Sequence, residues 1–239
     1  MIFFYAIKKT MNTLDETIEI LSNASHEELL SFLSTDDVVL KQIALLNIQK
    51  ISSLKEAQLI VNTLINHPSE IREYCSFLIN KLMRTDCKKF FQSREFLDTF
   101  EISIYDVNPK VCRNILEILP YWEYKEELFE RVLNNCFELI DVLQEKNKDK
   151  NHRYTKNSFH LYWNLYSIGI LLKSVDFEKF SEKIINLLNL VSGFSEYTLR
   201  EKGAFVAKEL YSLIQNEQTS FIMHKYKNDE NFYVRNVFG

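Results

Sequence analysis

The chain of 239 residues holds only four glycines and three prolines, where average usage would supply roughly 17 and 12. Hairpin turns and phosphate-cradling loops both consume glycine, because each needs backbone conformations or close approaches that a Cβ obstructs. A β-sandwich or a nucleotide-binding loop therefore has little material here. Long helices joined by short polar turns fit better, and the fold is expected to be all-α. Neither GxSxG, nor GxGxxG, nor a Walker-type phosphate loop can be assembled around Gly169, Gly193, Gly203 and Gly239.

The length suffices to bury a core without disulfides. The four cysteines, Cys75, Cys87, Cys112 and Cys136, include no CxxC pair, so buried free thiols in a reducing compartment are expected in place of a disulfide framework or zinc site. None of the five histidines makes HExxH or neighbours a cysteine pair, so no metal or cofactor is expected. The formal net charge of -4 disfavours a general nucleic-acid binder, whose surface carries a positive excess. The apolar runs at Met1–Ile7 and Tyr162–Leu172 are too short to span a bilayer. No targeting signal is recognisable, so the expected location is the cytoplasm with no membrane association. Met11 opens a more natural beginning than Met1, with Thr13 placed to cap a helix.

Internal repetition carries the most information. Offsets of +4, +8 and +11 from an aliphatic anchor give Ala44, Ile48 and Ile51 after Leu40; Cys75, Ile79 and Leu82 after Ile71; Ile115, Leu119 and Trp122 after Val111; and Gly203, Ala207 and Leu210 after Leu199. A weaker copy starts at Phe159. Each copy alone is only an amphipathic helix. The recurrence is more specific: a polar or acidic start, a cation directly after the anchor (Lys41, Arg72, Arg200), and a small residue at +4 that lets a neighbouring helix approach. A second helix follows the first copy after the break at Ser52–Ser53, and Asn66-His67-Pro68 ends it, since proline disfavours helix in the residue before it. The chain closes on one more polar start, anchor Val234 and cation Arg235, a unit only partly built.

The segments Ser195–Leu210, Glu70–Leu82 and the one at Leu40 resemble the first helix of a HEAT repeat, and Asn108-Pro-Lys-Val is similar to the family's Asp-Pro-x-Val opening. The resemblance covers residues 36 to 239. It implies a HEAT/armadillo-like α-solenoid of about five helix pairs, a fold that usually serves as a protein-binding scaffold. The expected organisation is a leader and capping helices over 1–35, repeats over 36–143, a polar loop over 144–157, and repeats over 158–239 ending in the partial unit.

Function is expected to be non-catalytic: protein–protein interaction, with the partner unidentified and lying along second helices such as 57–65 and 128–143. Candidate contact residues are Trp122 and Tyr124, the cations Lys146, Lys148, Lys150 and Arg153 of the polar loop, and Tyr162, Trp163 and Tyr166. Aromatics beside cations suit interface hot spots or base stacking. Tyr162, Trp163 and Tyr166 nearly encircle their helix, and a helix apolar all round must be covered on several sides. The alternative is a nucleic-acid-binding HEAT-like protein resembling alkyl-purine DNA glycosylases, which use a basic groove and an aromatic–carboxylate pocket; here Trp122 and Trp163 stand without a groove of cations.

Overall fold

The computed structural model describes residues 23–146 and 156–239. The expectations for Met1, Met11 and Thr13, and for most of the polar run 144–157, fall outside the described residues. Every regular element among the described residues is helical. The chain divides into two compact units, residues 1–90 and 91–239.

The first unit contains α1 (His26–Phe32), α2 (Val38–Asn47), α3 (Leu54–Asn62) and α4 (Ser69–Met83). Their starts follow capping chemistry. Asp37 accepts from the Val39 and Leu40 amides, Ser53 accepts from Glu56, and Ser25 forms a reciprocal capping box with Glu28; each satisfies amides that a helix start leaves without intrahelical partners. The turn before α4 places Asn66 at φ 60°, a left-handed conformation that asparagine tolerates. α2 packs on α1 and α4, and α3 on α4. Leu40, Ile43, Ala44, Ile48, Ile60, Ile71, Cys75, Ile79 and Leu82 form the core.

The second unit contains α5 (Leu97–Ile104), α6 (Pro109–Leu116), α7 (Lys125–Lys146), α8 (Lys156–Leu171), α9 (Ser181–Val191), α10 (Tyr197–Leu213), α11 (Glu217–Lys227) and α12 (Phe232–Asn236), with short 3-10 turns between several of them. Two rows emerge from the packing. α6 meets α8, α8 meets α10, and α10 meets α12; in parallel, α5 meets α7, α7 meets α9, and α9 meets α11. Rungs join the rows at α5–α6, α7–α8, α9–α10 and α11–α12. α8 is enclosed by α5, α6, α7 and α10, which accounts for its buried residues at Leu161, Trp163, Asn164, Leu165, Ser167, Ile168 and Leu171. The polar run 144–157 thus joins two helices, α7 and α8, of one unit.

The small residues at +4 sit where helices come closest. Ala44 and Cys75 are wholly buried, and the Cys75 thiol donates to the Ile60 carbonyl of α3 at 2.9 Å. A Cβ on Gly203 would lie 2.8 Å from Val191 Cγ1 and 2.9 Å from Tyr226 Cζ; the missing side chain lets α9 and α11 press onto α10. Tyr226 uses that room to donate from Oη to the Leu188 carbonyl at 2.8 Å. No helix among the described residues is long and apolar enough to cross a membrane.

Candidate functional site

At four of five anchors the residue that follows bonds a carbonyl in the turn before its own helix. The anchors Leu40, Ile71, Val111, Leu199 and Val234 are all buried. Behind them, the Arg72 guanidinium donates to the His67 carbonyl. Arg200 Nη1 donates to the carbonyls of Phe194 and Ser195 at 2.8 and 3.0 Å. Arg235 Nη1 donates to those of Asp229 and Glu230 at 2.6 and 2.7 Å. In each case the acceptors lie five or six residues back, in the turn before the helix. At Val111 the following residue is Cys112, and its thiol donates to the Asp106 carbonyl at 3.1 Å, a short neutral group filling the arginine's place. The cation also reaches forward. Lys41 Nζ lies 3.4 Å from His67 Nδ1, and Arg200 takes Asp229 with Nε and Nη2. Arg200 therefore binds its own turn and the next, Arg72 and Arg235 bind their own, and Lys41 reaches the next.

A side-chain cluster that reaches the surface lies as a ledge between α8 and α10. Lys202 Nζ sits 5.1 Å from the Tyr162 ring centroid and 5.4 Å from that of Tyr166, and 3.0 Å from Glu201 Oε1. Burial opposes the Lys202 charge, but the Glu201 hydrogen bond and the neighbouring Tyr162 hold its pKa above the ordinary lysine value. Tyr166 also packs on Phe205, centroids 5.5 Å apart. Phe205 occupies the space in which Gly169 would otherwise carry a Cβ. Trp163 lies beneath, in edge contact with Phe159, Tyr162 and Tyr166. A lysine held on two tyrosine faces is a pre-ordered cation, suited to a carboxylate or to the face of a partner's aromatic ring.

Two polar side chains of α8 have no hydrogen-bond partner among the described residues. Trp163 Nε1 and both amide atoms of Asn164 are buried without a hydrogen bond. Burial of an unpaired amide costs roughly 1–3 kcal/mol.

The structure separates the residues singled out in the sequence. Trp122 is completely buried, with Nε1 donating to the Phe91 carbonyl at 3.0 Å and its ring edge-on to Phe100; it is a core side chain and offers no contact surface. Tyr124 is half-buried against it. Trp163 is 5 % exposed and supports the ledge from within, whereas Tyr162 and Tyr166 form part of its surface. Lys148, Lys150 and Arg153 lie outside the described residues, and so does the Lys146 side chain. Lys202, Glu201 and Phe205 escaped sequence reasoning. Their signal was present in Arg200-Glu-Lys-Gly-Ala-Phe205, where positions three apart share a helix face, but nothing in the sequence pairs that face with Tyr162 and Tyr166.

Along the second row, α7 exposes Glu126, Glu130, Asn134, Glu138 and Asp141, a solvated acidic stripe. Among the described residues no three His, Cys, Asp or Glu side chains are grouped to hold a metal ion. No protein-family model matches the chain, and no curated protein is similar to it.

Proposed function

We propose that this chain is a non-catalytic scaffold of the HEAT-like kind, an α-solenoid of about five helix pairs that binds a protein partner. The observation that carries the reading is the repeated use of the position after the anchor. Arg72, Arg200 and Arg235 each tie the turn before their own helix, five or six residues back. Repetition of this kind at fixed register is what stacked helical repeats require, since each unit buries its apolar face only against its neighbours. The two rows of sequentially packed helices in the second unit support the same reading.

The contact surface is the ledge of Tyr162, Tyr166, Lys202 and Phe205. Aromatic rings and a fixed cation make a compact anchor at little entropic cost. The test is affinity capture from native lysate with the full chain beside Tyr166→Ala and Lys202→Glu variants whose circular dichroism and melting match the parent. A protein retained by the parent and lost from both variants supports the reading. Equal retention by all three, or no specific retention, defeats it.

A further inference from the structure

The junction between α10 and α12 contains a contact that the outer side of α12 offers a second time. Inside the junction, Arg200 grips Asp229 in the turn before α12. Tyr197 stacks on Tyr233 with centroids 5.8 Å apart and planes 28° from parallel. Tyr197 stands two places before the anchor Leu199, and Arg200 one place after it. Phe232 and Arg235 stand at the same two offsets from the anchor Val234. Phe232 is 62 % exposed and Tyr233 60 %. Arg235 spends Nη1 on its own turn, as Arg200 does. The nitrogens that Arg200 gives to the Asp229 carboxylate are Nε and Nη2; on Arg235 these have no hydrogen-bond partner among the described residues. Lys208, bonded to the Val237 carbonyl, and Lys227, set over the Phe238 ring, add positive charge beside this face.

We infer that the face made by Phe232, Tyr233 and Arg235 docks a partner protein through a helix-start turn that presents a carboxylate followed by an aromatic ring. Arg235 takes the carboxylate at two points, as planar guanidinium favours, and the ring lies on Phe232. The occupant's chemistry follows from the interior junction, where Asp229 and Tyr233 play these parts toward Arg200 and Tyr197. The inference rests on the repeat reading above and is independent of the ledge on α8 and α10.

The probe is a fluorescein-labelled peptide copying residues 228–239, because this turn is the one the interior junction accepts. Anisotropy titration with the full 239-residue chain is expected to saturate. Arg235→Glu in the chain is expected to weaken binding at least about tenfold, and Asp229→Arg in the peptide to do the same, as loss of a two-point charged pair implies. Combining the two changes is expected to restore affinity to within about threefold, which a merely structural role for Arg235 would not do. Lys202→Glu leaves this binding unchanged, so failure of the ledge and failure of this face are read separately. Saturation indifferent to the charge at Arg235 overturns the inference, since the peptide would then be displacing the chain's own tail from α10. Absence of saturable binding overturns it as well. Concentration-dependent self-association of the chain that Arg235→Glu abolishes replaces the partner with a second copy.

Discussion

Arg200 and Asp229 close a two-point ion pair, Nε to Oδ2 at 2.7 Å and Nη2 to Oδ1 at 3.0 Å, that ties α10 to the turn in front of α12. The side chains retain only 6 % and 10 % of their exposure. Burial would raise the Asp229 carboxyl, but Arg200 and the Asn231 amide hold it below the usual carboxylate range. Removing one partner strands the other, so Asp229→Asn is expected to cost about 3 kcal/mol in urea unfolding. The sign with pH follows from the lowered pKa. The pair's stabilisation is complete above the ordinary aspartate value near 3.8 and is lost as pH falls below it through the folded value. Parent and Asp229→Asn unfolding curves should therefore converge as pH drops below that value; a gap that stays constant would contradict the assignment.

Gly203 and Tyr226 make a coupled pair. A Cβ on residue 203 would press on Val191 Cγ1 and the Tyr226 ring, and overpacking of a tight core costs about 1–3 kcal/mol. Gly203→Ala should fall in that range, although alanine is the better helix former. Tyr226→Phe gives up the hydrogen bond to Leu188, worth about 1 kcal/mol. Because the phenol oxygen is among the atoms the new methyl meets, the double variant should lose less than the sum of the single losses. A thermal-denaturation cycle measures this coupling, and strict additivity would show that the close approach is relieved elsewhere.

Asn164 lies inside α8 with both amide atoms buried and unpaired. Leucine keeps the branched outline of asparagine and has no polar group to desolvate, and its larger methyl groups offset part of that gain. Asn164→Leu should raise stability by about 1–2 kcal/mol, seen as a higher denaturation midpoint at unchanged slope. Loss of stability instead would show that the amide is satisfied in solution. The same substitution probes whether the buried amide is retained for binding at a cost in stability, since capture of a partner can be measured on the stabilised variant.

How far these features can be read in the sequence depends on whether they are local. Helix starts at Asp37, Ser53 and Asn108 were legible because an N-cap is set by a few adjacent residues. Close approaches at Ala44, Cys75 and Gly203 were legible because a small residue at a fixed offset repeats. The enclosure of α8 was legible as one of two readings, beside cover by a partner, because Tyr162, Trp163 and Tyr166 nearly encircle it. Trp122 shows the limit: its place at +11 from Val111 marked the apolar face, but the carbonyl its indole N–H finds lies 31 residues away at Phe91, which no local pattern supplies. The Lys202 ledge joins side chains from α8 and α10, and the unpaired state of Asn164 depends on what several helices fail to offer it. Division of the chain at residue 90 follows from contact density, which leaves no run of glycine, proline or polar residues to mark it.

His67 supplies a pH dependence in the first unit that is separable from that of Asp229. Its ring is partly buried, and Lys41 Nζ lies 3.4 Å from Nδ1, with Arg72 bonded to its carbonyl. Burial first, then the charges of Lys41 and Arg72, hold its pKa below the ordinary histidine value of 6.5. A histidine with a lowered folded pKa binds its proton more readily in the unfolded chain. Stability is therefore insensitive to this group above pH 6.5 and declines as pH falls from there toward the folded value. His67→Gln keeps a polar acceptor for Lys41 without titrating. Its urea midpoint should change less between pH 7.5 and 5.5 than the parent's, while the acid loss owed to Asp229 below pH 3.8 remains. His160, lowered by burial and by Lys156, contributes a slope of the same sign in both proteins, so the comparison isolates His67. If the two midpoints track each other across that interval, Lys41 and His67 are not in contact in solution, and the forward reach of the cation in the first unit is lost as a point of likeness to Arg200.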